Sequence, residues 1–379
     1  MPSQNSYAIF SAQYLPSMGG VELFTQSMAK ELVKEGHRVT VVTSAKEELP
    51  YREDEDGFQI VRLPSLQLMN GRLPIAVRNQ IYRRIWRQLV KEPVDRVLIN
   101  TRFYPHSLEG LRYAKEKKIP ALVLEHGSGS LTLSNPLVDP MINIYEAGIT
   151  SIGKSYKPHY AGVSIAACKW LEHLGITTHT VIHNAIDSSA FLKLNSGRNF
   201  RSELGIPEER FLAVFIGRLV PEKGLGIVLD ASKQLPNVAF VIAGSGPQES
   251  EAKQAALEQD NVYFVGRLDR GDVSALLSQA QCAPMPTMYP EGLPTSLLEA
   301  CVQQTIPVIT FTAGVEDVLG KDGGDGELCE ASTSSVVRAI EKLYVLPSDV
   351  LRNRAIKLQK CVEAQFTWAN SVKQLEGAY

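Results

Sequence analysis

No stretch of this 379-residue chain approaches the run of about 18 apolar residues that a membrane-crossing helix needs, so no segment reads as one. The N-terminal MPSQNSYAIFSAQ has no basic region followed by an apolar core, and so does not read as a signal peptide. Cysteine is sparse: Cys168, Cys282, Cys301, Cys329 and Cys361 are odd in number and never closely spaced. That pattern speaks against a disulfide framework or a zinc site, and fits reduced core thiols in a cytoplasmic protein. Net charge is almost absent as well, with 39 Lys and Arg against 41 Asp and Glu. A balance of −2 gives no support for nucleic acid as the main partner. No Asp-x-Asp pair is read as a metal site, and neither a metal nor a resident cofactor is expected.

What is present is an ordinary soluble composition, 44% apolar and 21% charged, on a chain longer than one hydrophobic core usually organises. Charge is unevenly divided. Up to Asn184 there are 21 basic and 17 acidic residues, a balance of +4, and beyond it 18 and 24, a balance of −6. Apolar strands alternate with amphipathic helices twice over. YAIFSAQYLP, HRVTVVTS, FQIVRL, RVLIN and ALVLEHG are the strands of the first series, and Val21, Phe24, Met28 and Leu32 recur at helical spacing between the first two. After VIHNAID comes a polar, irregular stretch, SSAFLKLNSGRNFRSELGIPEE, which reads as a junction. The pattern then restarts with FLAVFIGRL, NVAFVIAGSG, NVYFVGRL, QCAPMPT and TIPVITF. Strand, helix, strand with short connections means parallel pairing, so the expected fold class is α/β, two doubly wound Rossmann-like domains in series over 1–185 and 186–361.

Open parallel sheets bind ligands beyond the carboxyl ends of their strands, so residues just after each strand are the candidates. SMGGVE places Gly19 and Gly20 between a strand and its helix, where backbone can approach an anion or simply make a tight turn. FIGRLVPEKG puts Arg218 and Lys223 past a buried strand, with Gly217 and Gly224 around them. Those two cations suit a diphosphate, the alternative being solvated loop charges. VIAGSGPQES, with Gly244 and Gly246, lacks the third glycine of the dinucleotide fingerprint and is assigned mainly to turn formation. His126 in LEHGSGS stands at a strand end beside Gly127; a lone histidine is more often structural, but position raises this one. MYPEGLPTSLLEA sets Glu291 in a loop and Glu299 in the second turn of a helix, with the amides of Gly292 and Leu293 and the N-terminal Pro294 between. Carboxylates beside a diphosphate would repel it, so these two must face hydroxyls, one of a sugar and one of a ribose. Taken singly, each is more often a surface glutamate.

In this order and spacing, GGVE, EHG, VIHNAID, GRLVPEKG, AGSGP, FVGRL and PEGLPTSLLEA resemble the family 4 glycosyltransferases, retaining enzymes whose two Rossmann-like domains face a cleft in the GT-B architecture. The resemblance covers nearly the whole chain and is looser from about Glu47 to Lys118. It departs in two places: Gly-Leu-Pro follows the first glutamate where Gly-Phe-Gly is commoner, and TAGVEDVL stands where a double glycine is more usual. The resemblance implies that Glu291 contacts the donor sugar and Glu299 the nucleotide ribose. Arg218 and Lys223, framed by Gly217 and Gly244, would hold the diphosphate, approached by Gly19 and Gly20. Gly292, Leu293, Pro294 and Thr295 would complete the donor loop, His126 would sit by the sugar and acceptor, and the backbone at Arg267 and Leu268 would read the base. A C-terminal helix over about 362–379 would cross back to the first domain.

The expected reaction is transfer of a sugar from a UDP- or GDP-sugar to a hydroxyl acceptor with retention, in bacterial-type glycan or glycolipid (polysaccharide) assembly. His126, Glu291, Arg218 and Lys223 would be the catalytic groups. An epimerase or hydrolase of nucleotide sugars on the same fold, turning over donor alone, is the alternative, and a catalytically dead binder a third. VRNQIYRRIWRQLVK, Val77 to Lys91, sets Ile81, Ile85 and Trp86 on one helical side and Arg78, Arg83, Arg84 and Arg87 around the rest. It suits either an anionic membrane presenting a lipid-linked acceptor, at the inner face of the membrane, or an ordinary helix packed on the sheet, the latter slightly favoured.

Overall fold

The computed structural model describes residues 4–17, 19–46, 48–69, 71, 73–131, 138–312 and 314–379. Met18 of SMGGVE and Ala313 of TAGVEDVL lie outside them. The chain forms two compact units, Met1–Asn184 with Trp368–Tyr379, and Ala185–Thr367.

The first unit holds strands β1 (Ser6–Ser11), β2 (Arg38–Ser44), β3 (Arg52–Glu55), β4 (Phe58–Leu63), β5 (Ser65–Leu68), β6 (Leu73–Ala76), β7 (Arg96–Asn100), β8 (Ala121–Glu125) and β9 (His159–Gly162). Seven of them make one sheet in the order β3-β4-β2-β1-β7-β8-β9, while β5 and β6 pair separately. All pairings in the large sheet are parallel except β3 on β4. Every residue of β1 is buried, which follows from helices covering both faces of a parallel sheet. Helix α1 (Gly20–Lys34) buries Phe24, Met28 and Leu32, the stripe at four-residue spacing visible in the sequence.

Helix α2 (Gln80–Lys91) settles how its amphipathic segment is used. Asn79 caps it, its side chain accepting from the amide of Tyr82 at 2.9 Å. Tyr82, Ile85, Trp86 and Leu89 are buried in the unit's core, and Arg83, Arg84 and Arg87 are exposed. The polar ends of the two aromatics are satisfied by helix α3 (Pro105–Lys117): Tyr82 donates to Glu109 at 2.6 Å and Trp86 Nε1 to Glu116 at 3.0 Å. The Arg112 guanidinium lies 3.9 Å from the Trp86 ring centroid. Ile85 and Trp86 therefore belong to the core, and a lipid-facing role for them is overturned.

The second unit holds β10 (Phe211–Ile216), β11 (Val238–Ala243), β12 (Val262–Gly266), β13 (Cys282–Met285), β14 (Ile306–Thr310) and β15 (Glu327–Cys329). They form one parallel sheet in the order β12-β11-β10-β13-β14-β15. The polar stretch read as irregular contains two short helices, Ser188–Lys193 and Phe200–Leu204, capped by the side chains of Asp187 and Asn199. Residues 362–365 finish the helix Ser348–Gln365, and the segment joining the first unit starts at Trp368. Its helix, Trp368–Gly377, is tied there by Trp368 edge-on to Phe24 at 5.4 Å and by Arg96 donating to the Glu376 carbonyl at 3.1 Å.

Candidate functional site

In each sheet the chain winds outward in both directions from one strand, and the loops beyond its carboxyl end are free to hold a ligand. In the second unit the reversal falls between β10 and β13, and in the first between β1 and β7. Both points carry candidates.

Beyond β10 the chain turns through Pro221–Lys223 and into the helix Leu225–Gln234. Gly224 sits at φ 77°, and a Cβ there would run into the carbonyl oxygen of Pro286 in the loop after β13, so only glycine lets the two loops touch. The Glu222 carbonyl then accepts from Met288 N at 2.8 Å and from Thr287 Oγ1 at 3.2 Å. These bonds pin the turn to the loop and bring Lys223 Nζ into an ion pair with Glu291 Oε1. The pair lines a small recess with Thr287, Pro294 and Ser296. Burial pulls the Lys223 ammonium down to about 8 and the charge of Arg218 adds to that, while the Glu291 carboxylate favours the charged form. Arg218 itself is exposed.

Gly244 and Gly246 serve the same loop from the side. A Cβ on Gly244 would collide with the Gly217 carbonyl, and one on Gly246 would lie 2.5 Å from the Leu219 carbonyl oxygen. Gly217 N and Leu219 N bond back to the carbonyls of Ala243 and Ser245 at 3.1 and 3.0 Å. The AGSG glycines are thus a close-packing device that shapes the Arg218 loop, more than a turn alone.

Beyond β13, Glu291, Gly292, Leu293 and Pro294 lead into the helix Thr295–Val302, with Pro294 at its cap, one residue earlier than first-turn placement implies. The Gly292 carbonyl accepts from the amide of Gly314. Glu299, in the second turn, is mostly buried and receives Arg270 Nη2 on Oε1 at 3.0 Å. Burial pushes its carboxyl up, and Arg270 opposes that. Arg270 opens the helix Arg270–Leu277, two residues after Leu268, so it brings the Arg267–Leu268 loop to the glutamate. The structure thus joins Lys223 with Glu291 and Arg270 with Glu299.

In the first unit Gly19 is the extended cap and Gly20 the first residue of α1, and space is open where a Cβ on Gly20 would stand. The Glu22 side chain folds back against Gly19. Burial pushes its carboxyl up, against the pull of Lys46, whose ammonium donates to Ser17. His126 follows β8 directly. Its Nε2 lies 3.0 Å from Asn100 Oδ1, at the end of β7, and its ring meets Phe24 edge-on at 4.7 Å. Burial pulls its pKa down to about 3, so the imidazole is neutral near pH 7.

Sequence reading did not pick out Arg270, Asn100 or Lys46. Arg270 has a local sign, directly after the helix cap Asp269, whose side chain accepts from Asp272 N at 2.8 Å, but its tie to Glu299 spans 29 residues. The sequence also holds one Asp-x-Asp triplet, Asp54-Glu55-Asp56. It lies at the β3–β4 turn, where Asp56 pairs with Lys30 at 2.9 Å and Glu55 accepts from Gln26 at 2.7 Å. Among the described residues no three His, Cys, Asp or Glu are grouped as a metal site, and no helix is long and apolar enough to cross a membrane.

The family model described as Glycosyltransferase Family 4 matches residues 18–190, and that described as Glycosyl transferases group 1 matches 197–360. The chain is 25% identical over 345 residues to alpha-monoglucosyldiacylglycerol synthase of Acholeplasma laidlawii, covering 84% of this chain and 83% of that one. It is 24% identical over 378 residues to phosphatidyl-myo-inositol mannosyltransferase of Mycobacterium leprae, covering 95% and 92%. Among solved structures, HepE of Anabaena in complex with UDP superposes with a TM-score of 0.73 at 17% identity, over 99% of each chain. The solved neighbour shows the fold, GT-B, and the two family models show a glycosyltransferase over both units. The chain belongs to the family 4 type of that class.

Proposed function

We propose that the protein transfers a sugar from a nucleoside-diphosphate sugar to a hydroxyl acceptor with retention, without a metal, in glycan or glycolipid assembly. The observation that carries this reading is the Lys223–Glu291 pair, held at the β10/β13 reversal with Arg218 on the same loop. A phosphate arriving there would take Lys223 from Glu291 and release the carboxylate to a sugar hydroxyl. Arg218, Lys223 and the amides opening helix Thr295–Val302 would stabilise the charge that grows on the departing diphosphate. The bond from the anomeric carbon to the phosphate oxygen breaks, the bond to the acceptor oxygen forms on the same face, and the phosphate oxygen takes the acceptor proton. Glu299 with Arg270 would hold the ribose, Arg267 and Leu268 the base, and Gly19, Gly20 and His126 the far side of the donor and the acceptor. The second unit would be the donor-binding domain and the first, with its returning helix, the acceptor-binding domain. UDP is the first nucleotide to try, since a solved neighbour holds it, with GDP second.

The test is product formation from donor with and without a glycan or lipid acceptor, repeated in excess chelator. Product is expected only with acceptor, and undiminished by chelator. Donor turnover alone would favour the epimerase or hydrolase; loss in chelator restored by magnesium or manganese would overturn the metal-free mechanism.

The two relatives are named for a glucosyldiacylglycerol and for a phosphatidylinositol, which supports a lipid-linked acceptor and peripheral contact with an anionic membrane. The apolar side of α2 is not available for it. Leu66 and Met69, 55% and 53% exposed in the β5–β6 hairpin just before α2, together with Arg83, Arg84 and Arg87, support that contact instead. Flotation with anionic vesicles is expected to exceed that with neutral ones and to weaken with salt, each arginine contributing about 1 kcal/mol. Equal flotation with both lipids, or no loss when all three arginines become glutamate, would reject it.

A further inference from the structure

The carboxyl ends of β1, β7 and β8 are joined by a directional chain of hydrogen bonds. Ser11 at the end of β1 donates its hydroxyl proton to the Gln13 carbonyl at 2.8 Å, so it offers Thr25 only a lone pair. Thr25, inside α1, lies 2.7 Å from the Val21 carbonyl and 3.3 Å from Ser11 Oγ. Both are acceptors, so the single hydroxyl proton of Thr25 is committed to one of them. The oxygen of Thr25 can then only accept from Asn100, 2.7 Å away, and what faces it is the amide nitrogen, Nδ2. The side-chain orientation of Asn100 follows: its Oδ1 is turned to His126 Nε2 at 3.0 Å. A carbonyl oxygen accepts, so Nε2 must carry the imidazole proton and Nδ1 is left as a lone pair.

Nothing else in the described residues competes for that lone pair, and the mechanism outlined above does not use Asn100 or Thr25. Both are fully buried, which makes an unpaired amide or hydroxyl there costly and the direction of the chain hard to reverse. The strand end is also held against its own preference: Thr101, β-branched, is at φ 63°. Its Oγ1 donates to the Asn100 carbonyl at 2.6 Å and its amide bonds Leu124 O at 2.8 Å. A backbone locked in an unfavourable conformation next to the asparagine is what a position-critical residue requires.

We propose that Asn100, oriented by Thr25, is the positioning residue that fixes His126 in the Nε2-protonated tautomer, so that Nδ1 accepts a hydrogen bond from a hydroxyl of the carbohydrate substrate. This rests on the transferase reading for the identity of the hydroxyl, but the tautomer itself does not depend on it. His126 is then an acceptor at the strand end and neither an acid nor a cation, in keeping with its neutral state near pH 7.

The experiment uses the full chain labelled with nitrogen-15 at histidine. The seven histidines are separated by subtracting the spectrum of His126→Gln, and the ring-nitrogen shifts of His126 report its tautomer directly. The wild type is expected to show Nε2–H alone. Asn100→Ala removes the lock and gives a mixture, and kcat/KM falls about tenfold, the worth of one oriented hydrogen bond. Thr25→Val keeps the shape but frees the Asn100 amide to turn over, with the same spectral change, while Thr25→Ser restores both tautomer and rate. Wild-type His126 protonated on Nδ1 would overturn the proposal, as would a mixed tautomer in Asn100→Ala or Thr25→Val with kcat/KM unchanged. If the wild type transfers no sugar from any donor, the function fails, and the spectra of wild type and Thr25→Val alone decide whether the lock exists.

Discussion

Replacing Arg218 or Lys223 with alanine is expected to lower kcat/KM for transfer by about 100- to 1,000-fold, the loss of roughly 2.7–4 kcal/mol seen when one group aimed at developing negative charge is removed. Folding should be much less affected, because Arg218 is exposed and Lys223 lies at a loop whose shape is set by Gly224, Pro286 and the Glu222 carbonyl bonds. The two sites differ in what alanine leaves behind. Lys223→Ala removes the cation paired with Glu291, whereas Arg218→Ala removes a like charge that pulls Lys223 down. Lys223 also gives the reaction a basic limb. Its charged form dominates below about 8 and is lost above it, so kcat/KM, which reports the free enzyme, is expected to fall as pH rises through about 8. Lys223→Arg keeps a charge across that range and should remove the fall. Near-normal turnover in both alanine variants, measured as initial rates with saturating acceptor, would remove these residues from the site.

Most of the framework that positions these groups is written locally in the sequence. Strands β1, β10 and β11 are buried almost throughout and so appear as nearly continuous apolar runs, and candidate residues stand beyond their carboxyl ends. The strands that escaped detection are those without that signature. β3 is the polar edge REDE, β5 and β6 are a hairpin with one solvent-facing side, and β9 and β15 are only four and three residues long. In the candidate site, the Glu291–Glu299 spacing, the Arg218 and Lys223 loop and His126 could be picked out because each stands just beyond a strand, beside glycine or proline. The pairings were not. Lys223 meets Glu291 across 68 residues, and His126 meets Asn100 across 26. Such contacts are decided by strand order, which no local pattern encodes. The AGSG glycines show the same limit: their composition suggests a turn, and only the approach of the Gly217 and Leu219 carbonyls explains why no side chain fits.

Glu299→Ala is expected to weaken binding of the nucleoside diphosphate by about 10- to 100-fold, the worth of hydrogen bonds made to a charged group, roughly 1.5–3 kcal/mol. The carboxylate is suited to this because it is held. Arg270 occupies Oε1, and burial excludes the competing water that would weaken a ribose hydroxyl at the other oxygen. Burial alone would raise its pKa and favour the neutral acid, and Arg270 is what opposes that. Arg270→Ala should therefore weaken the nucleotide as well, and increasingly so as pH is lowered, because the unopposed carboxyl takes up its proton at a higher pH than in the wild type. Calorimetry with the nucleoside diphosphate and its 2′,3′-dideoxy analogue separates a ribose contact from general damage. The wild type should lose affinity for the analogue, and Glu299→Ala should bind both forms equally, since the partner of the missing hydroxyls is already gone. If Glu299→Ala still distinguishes the two as the wild type does, the ribose is held elsewhere and Glu299 serves only to anchor Arg270 and the Arg267–Leu268 loop.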